Sequence, residues 1–100
     1  MEAVNREGIL VIRLCDRIDS LNADDVKKEL QGIVEKEAQA GAIVLDAADL
    51  YYISSAGLRV ILLLCETVKC PVSMIHVAEE IYDILERTGF TAVLKVERAG

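Results

Sequence analysis

The chain has no tryptophan, three tyrosines and one phenylalanine among its 100 residues. So few aromatics argue against a surface that reads nucleic acid by stacking bases, and they oblige the core to be aliphatic. Histidine occurs once, at His76, and the three cysteines, Cys15, Cys65 and Cys70, show no C-x-x-C spacing. An odd set of unclustered thiols is no disulfide framework, and one isolated histidine supplies no zinc ligand set. No metal and no cofactor is expected. Basic residues are also scarce, 11 Lys and Arg against 17 Asp and Glu, for a formal net charge of −6. That balance disfavours nucleic acid and anionic membrane surfaces and leaves a basic protein surface acceptable as a partner. The longest apolar run, Val60–Cys65, falls far short of the roughly 20 residues that cross a bilayer. Met1–Glu7 contains no apolar signal region. The expectation is a cytoplasmic protein with no direct membrane insertion.

Apolar residues nevertheless make up 53% of the chain, enough for one folded domain spanning 1–100. Ile9–Leu14 reads as a strand, with Met1–Asn5 as a weaker strand hairpinned to it through Arg6, Glu7 and Gly8. Cys15–Leu21 reads as a polar loop. Asn22 is a candidate N-cap, Asp24 and Asp25 suit the first helical turn, and Val26, Leu30, Ile33 and Val34 recur at helical spacing. The predicted helix runs from Ala23 to Gln39, with Gly41 beyond its end. Ala42–Leu45 is too short for a helix and reads as a buried strand, followed by a connector over Ala47–Ile53. A second helix is predicted from Ser55 or Ala56 to about Val68. It is apolar almost all round and so must be packed on more than one side. Val72–Val77 follows as a strand, Ala78–Arg87 as a helix and Val93–Val96 as a last strand at an edge. Strands and helices alternate, which implies an α/β fold with βαβ crossovers.

The chemistry concentrates at Ser54, Ser55, Ala56 and Gly57, between a buried strand and an apolar helix. A hydroxyl at a helix start meets free backbone N–H groups and the positive end of the dipole, so a phosphate added there would be well received. The same position also suits a plain N-cap. A nucleophilic serine would need a base. The only histidine lies on another predicted strand without an evident orienting partner, and no G-x-S-x-G elbow is present. No enzyme activity is expected. Asp46 and Asp49, at a strand end, read either as connector caps or as a carboxylate pair for a metal or acid–base chemistry. Tyr51 and Tyr52 read as packing residues with wet hydroxyls. Cys15 and Cys65 read as small buried hydrophobes.

The stretch S-S-A-G-L-R-V-I-L resembles the signature turn of the STAS domain of anti-sigma factor antagonists, and V-L-D-A-A-D-L upstream resembles that family's strand and connector. Asp16–Ala23, D-R-I-D-S-L-N-A, is similar to the family's G-x-L-D-x-x-x-A loop, and L-E-R-T-G-F is similar to the end of its last helix. The resemblance implies a four- or five-stranded mixed sheet with three helices mainly on one face. It places the phosphoacceptor on Ser55. Ser54 stands where the family usually has an acid, and Asp16 where the loop often has Gly.

What the resemblance implies about function is a regulatory switch. Unphosphorylated, the domain would bind an anti-sigma factor or GHKL-type serine kinase. Phosphorylation of Ser55 would break that complex, and a serine phosphatase would reset it. A different role, as a STAS subunit of a lipid-transport ABC complex or a ligand-sensing module, would leave Ser55 a structural cap. In a parallel α/β unit the loop after an early strand and the following helix starts share a rim. The partner surface is therefore expected to join Asp19, Ser20 and Asn22 to Ser54, Ser55, Gly57 and Arg59. Asp19 and Arg59 are expected to reach the partner while contributing little to stability.

Overall fold

The computed structural model describes residues 1–100. Its strands are β1 (Ala3–Arg6), β2 (Ile9–Arg13), β3 (Arg17–Ile18), β4 (Ala42–Asp46), β5 (Tyr52–Ile53), β6 (Val72–Val77) and β7 (Lys95–Arg98). Its helices are α1 (Ala23–Lys36), α2 (Ser55–Thr67) and α3 (Glu79–Arg87). The principal sheet has the order β1-β2-β4-β6-β7. β1 is antiparallel to β2 across a tight turn in which Glu7 and Gly8 have φ of 53° and 87°, the left-handed pair that suits a two-residue hairpin. All other pairings in this sheet are parallel.

Period-two alternation decides which face is buried. Leu10, Ile12, Ile43, Leu45 and Met74 point one way and are at most 2% exposed. Ile12, Leu45 and Met74 stand side by side across three strands. Val26 and Leu30 of α1, Val60, Ile61 and Leu64 of α2, and Ile81 and Leu85 of α3 complete the same aliphatic cluster. On the other face Val11, Val44 and Ile75 are half-buried, and Val4 and Ile9 are exposed.

Four expectations shift. Each of the two segments read as loop contains a short strand, β3 and β5, and these pair in parallel as a separate two-stranded ladder. Two residues are too few for a periodic signal, and the pairing is non-local. Helix α1 stops at Lys36, not Gln39, because the chain turns over Glu37–Ala40 so that the Gly41 amide can bond to the Gly8 carbonyl at 2.8 Å. Val93 lies outside β7: a 3₁₀ turn over Phe90–Ala92, entered through Gly89 at φ 82°, uses Phe90 and Leu94 to finish the core and leaves Val93 exposed. Cys15 and Cys65 are only partly buried, packed against the margin of the core.

Candidate partner-binding rim

The β3–β5 ladder ties the first loop to the serine turn. Arg17 pairs with Tyr52 and Ile18 with Ile53. The Tyr51 amide donates to the Asp16 carbonyl at 2.8 Å, and the Ser54 amide to the Ile18 carbonyl at 3.0 Å. Asp19 therefore leaves β3 beside the point where Ser54 leaves β5. The start of α2 is pressed against this ladder. A Cβ built on Gly57 would lie 2.6 Å from the Ile18 carbonyl oxygen and 2.7 Å from Cγ1 of Ile53. Gly57 thus belongs to the rim through close backbone approach. It is buried and offers a partner no side chain.

The loop between β3 and α1 is organised by Asp19. Its carboxylate accepts from the Leu21 amide at 2.9 Å, the Asn22 amide at 3.3 Å and Arg17 Nε at 2.8 Å. Burial works to raise the Asp19 pKa, but the Arg17 hydrogen bond and charge and the two amides outweigh it and hold the carboxyl below its ordinary value. Asn22 does not cap α1 with its side chain as the sequence suggests. Its Oδ1 accepts from the Asp19 amide at 2.8 Å and its Nδ2 donates to the Arg17 carbonyl at 2.8 Å, so it clasps the loop. Against the expectation that Asp19 contributes little to stability, the residue is only 6% exposed and its carboxylate is the internal partner of three donors. Ser20 and Leu21 are the exposed residues of this loop, Leu21 at 89%.

The serines divide two tasks. Ser54 is extended, at φ −98° and ψ 178°, and its Oγ accepts from the Gly57 amide at 3.4 Å, so it is the N-cap of α2. Ser55 is the first helical residue. It is exposed, and nothing in the chain bonds its hydroxyl. Arg59, four residues on and so on the same face of the helix, is exposed and makes no ion pair.

Tyr51 and Tyr52, expected to pack, are 62% and 46% exposed. The guanidinium of Arg17 lies 5.8 Å from the Tyr52 ring centre. Together with Leu21 they are apolar knobs that sequence reading did not assign to the rim. The available signal was an apolar residue inside a polar loop and two tyrosines just before a serine turn.

Asp46 and Asp49 do not form a carboxylate pair, since each is held by a partner of its own. Asp46 accepts from the Ala48 amide at 3.0 Å and lies 2.9 Å from His76 Nδ1. Burial works to raise its pKa, but these contacts and Arg13 lower it. Asp49 pairs with Arg13 Nε at 3.0 Å. His76 therefore does have an orienting partner, although that partner is no element of the serine turn. No group of three His, Cys, Asp or Glu side chains is placed to hold a metal ion. No helix is long and apolar enough to cross a membrane.

The mixed sheet, the β3–β5 ladder and the capped serine turn define a STAS domain, and residues 1–99 match that family. The chain belongs to the STAS domain family and, through its relatives, to the anti-sigma factor antagonists within it. It is 32% identical over 93 residues to a protein of Bordetella bronchiseptica described as the anti-sigma factor antagonist BtrV, a match over 90% of this chain and 78% of that one. An anti-sigma factor antagonist from Mycobacterium paratuberculosis has the same fold, with a TM-score of 0.85 and 15% identity over 96% of this chain and 82% of that one. The anti-sigma factor antagonist SpoIIAA in its unphosphorylated form matches at 0.73 and 17% identity, over 95% of this chain and 84% of that one.

Proposed function

We propose that the domain is a non-enzymatic switch in sigma-factor-dependent transcription, controlled by phosphorylation of Ser55. Unphosphorylated, the rim binds an anti-sigma factor that is itself a GHKL-type serine kinase. Asn22 and Asp19 fix the loop shape, Ser20, Leu21, Tyr52 and Arg59 supply contact, and Ser54 and Gly57 hold the turn. The observation that carries this reading is the division between the serines: Ser54 Oγ is engaged as the cap while the Ser55 hydroxyl is exposed and unbonded. A phosphate on Ser55 adds about −1.5 to −2 charge. The free N–H groups of the first turn of α2 tolerate it, so the fold persists while the partner surface gains local negative charge. A serine phosphatase acting on the phosphorylated form restores binding.

The test is phosphate transfer. With the cognate kinase and ATP, one phosphate should map to Ser55, disappear in Ser55→Ala and persist in Ser54→Ala. Labelling that survives Ser55→Ala overturns the assignment. A lipid-transport subunit would bind its complex with no labelling at all.

A further inference from the structure

β1 is an edge strand whose four residues are all exposed. Natural sheets blunt such an edge with short strands, charge, proline or a bulge. Ala3–Arg6 is short but has no proline or bulge, and its one cation, Arg6, is answered by an anion four positions earlier, at Glu2. The Arg13 amide donates to the Glu2 carbonyl at 2.8 Å. In an antiparallel ladder, bonded and non-bonded residues alternate, so Glu2, Val4 and Arg6 spend their backbone groups on β2. The amides and carbonyls of Ala3 and Asn5 therefore point away from the sheet.

From this pattern we propose that β1 pairs with β1 of a second copy of the chain, antiparallel and about a two-fold axis at Val4. In that register Ala3 faces Asn5 of the other copy twice over, so the outward backbone groups satisfy one another. Val4 faces Val4, and Glu2 faces Arg6 twice. Even-numbered residues share one face of the strand, so the charge pairs flank the valines on the helix-free side of the sheet. That side is already apolar at Val4, Val11 and Val44, which stand in one row. Neither Glu2 nor Arg6 has an ion-pair partner within its own chain. The contact is isologous and closes, making one continuous sheet from two. It is smaller than the roughly 800 Å² per partner of a stable complex, so the dimer is weak and concentration-dependent.

Sedimentation of the untagged chain between about 10 μM and about 1 mM, the range of weak interfaces, should show mass rising from one chain towards two. Glu2→Arg and Arg6→Glu each create two like-charge pairs and should each weaken association at least tenfold. An equimolar mixture of the two variants restores both pairs and should dimerise at least as well as the native chain. The Ala3 and Asn5 amides should gain exchange protection on concentration while the Val4 amide does not change. A native chain that stays monomeric throughout overturns the proposal. So does a dimer that either single variant leaves intact, which would place the contact elsewhere, and so does a mixture of folded variants that fails to associate.

Discussion

Helices α1 and α2 begin side by side on one rim, and their beginnings are built in opposite ways. At α1 an inward carboxylate does the work. Asp19 takes two loop amides and Arg17, its carbonyl takes the Ala23 amide at 2.8 Å, and Asn22 clasps back onto the strand. The side chains of Arg17, Asp19 and Asn22 all bond within the loop, and Ser20 is left exposed. At α2 the cap is one 3.4 Å bond from Ser54, and the next hydroxyl has none. A serine that caps its own helix has its oxygen engaged. Placing two in succession separates the structural duty from the available one. The closed start holds its loop from within, and the open start leaves an exposed hydroxyl, the one that the switch reading has modified.

That contrast depends on the ladder beneath both starts, and the largest effect should come from Gly57. Gly57→Ala would gain helix propensity of about 1 kcal/mol. Its Cβ would also press on the Ile18 carbonyl and Ile53, an overpacking that costs about 1–3 kcal/mol, here at the upper end because a backbone atom is struck. A net loss of about 2 kcal/mol should lower Tm by about 10 °C, read by calorimetry. An unchanged Tm would mean that α2 slides on the ladder at little cost.

Asp19→Ala should come next, with Tm lower by about 4–8 °C, and binding should weaken because the loop loses its shape. Arg59→Ala should weaken binding with no change in Tm. If both variants leave Tm alone, the closed start is not what holds the loop. The Asp19 and Asp46 pKa values are depressed in the folded chain. Their stabilisation is present above the unfolded value, about 3.9, and is lost as pH falls through the lower folded values. Stability should therefore fall on acidification below about pH 4, and Asp19→Asn should flatten that limb in denaturant titrations.

Much of this was legible in the chain. The runs Ile9–Leu14 and Ala42–Leu45 announce strands because they are apolar and too short for helices, and Val72–Val77 because it follows the stop at Pro71. The Ser54–Gly57 turn announces a helix start because hydroxyls and glycine suit that geometry. The roles of Asp19 and Asn22 were not legible. The same two residues serve equally as a cap, a surface contact or an internal clasp, and only the loop path separates these. Ladder β3–β5 was hidden because two-residue strands have no period. The exposure of Tyr51 and Tyr52 was hidden with it, since the pairing decides which way they face.

Ser54→Ala should cost less, about 0.5–1 kcal/mol, the lower part of the usual range for a lost N-cap because its bond is long. It should leave Ser55 a substrate. A loss well above this in urea titrations would show that Ser54 bears more than a cap, and the two serines would no longer divide their tasks.

The smallest effect on stability should come from Ser55, with the clearest effect on binding. Ser55→Ala removes a hydroxyl that nothing holds, so Tm should not move. Ser55→Asp places an anion at the first residue of α2, where the dipole favours it by about 0.3–1 kcal/mol, so the fold should be unchanged or slightly firmer. Under the switch reading the same carboxylate should reduce affinity for the anti-sigma factor at least tenfold, about 1.4 kcal/mol. Calorimetric titration separates the outcomes. Weaker binding at unchanged Tm supports a local charge change read by the partner. Equal affinity for wild type and Ser55→Asp would sink charge repulsion as the mechanism. Weaker binding with a lower Tm would show that the open start is structural after all, and that α2 begins under the same kind of constraint as α1.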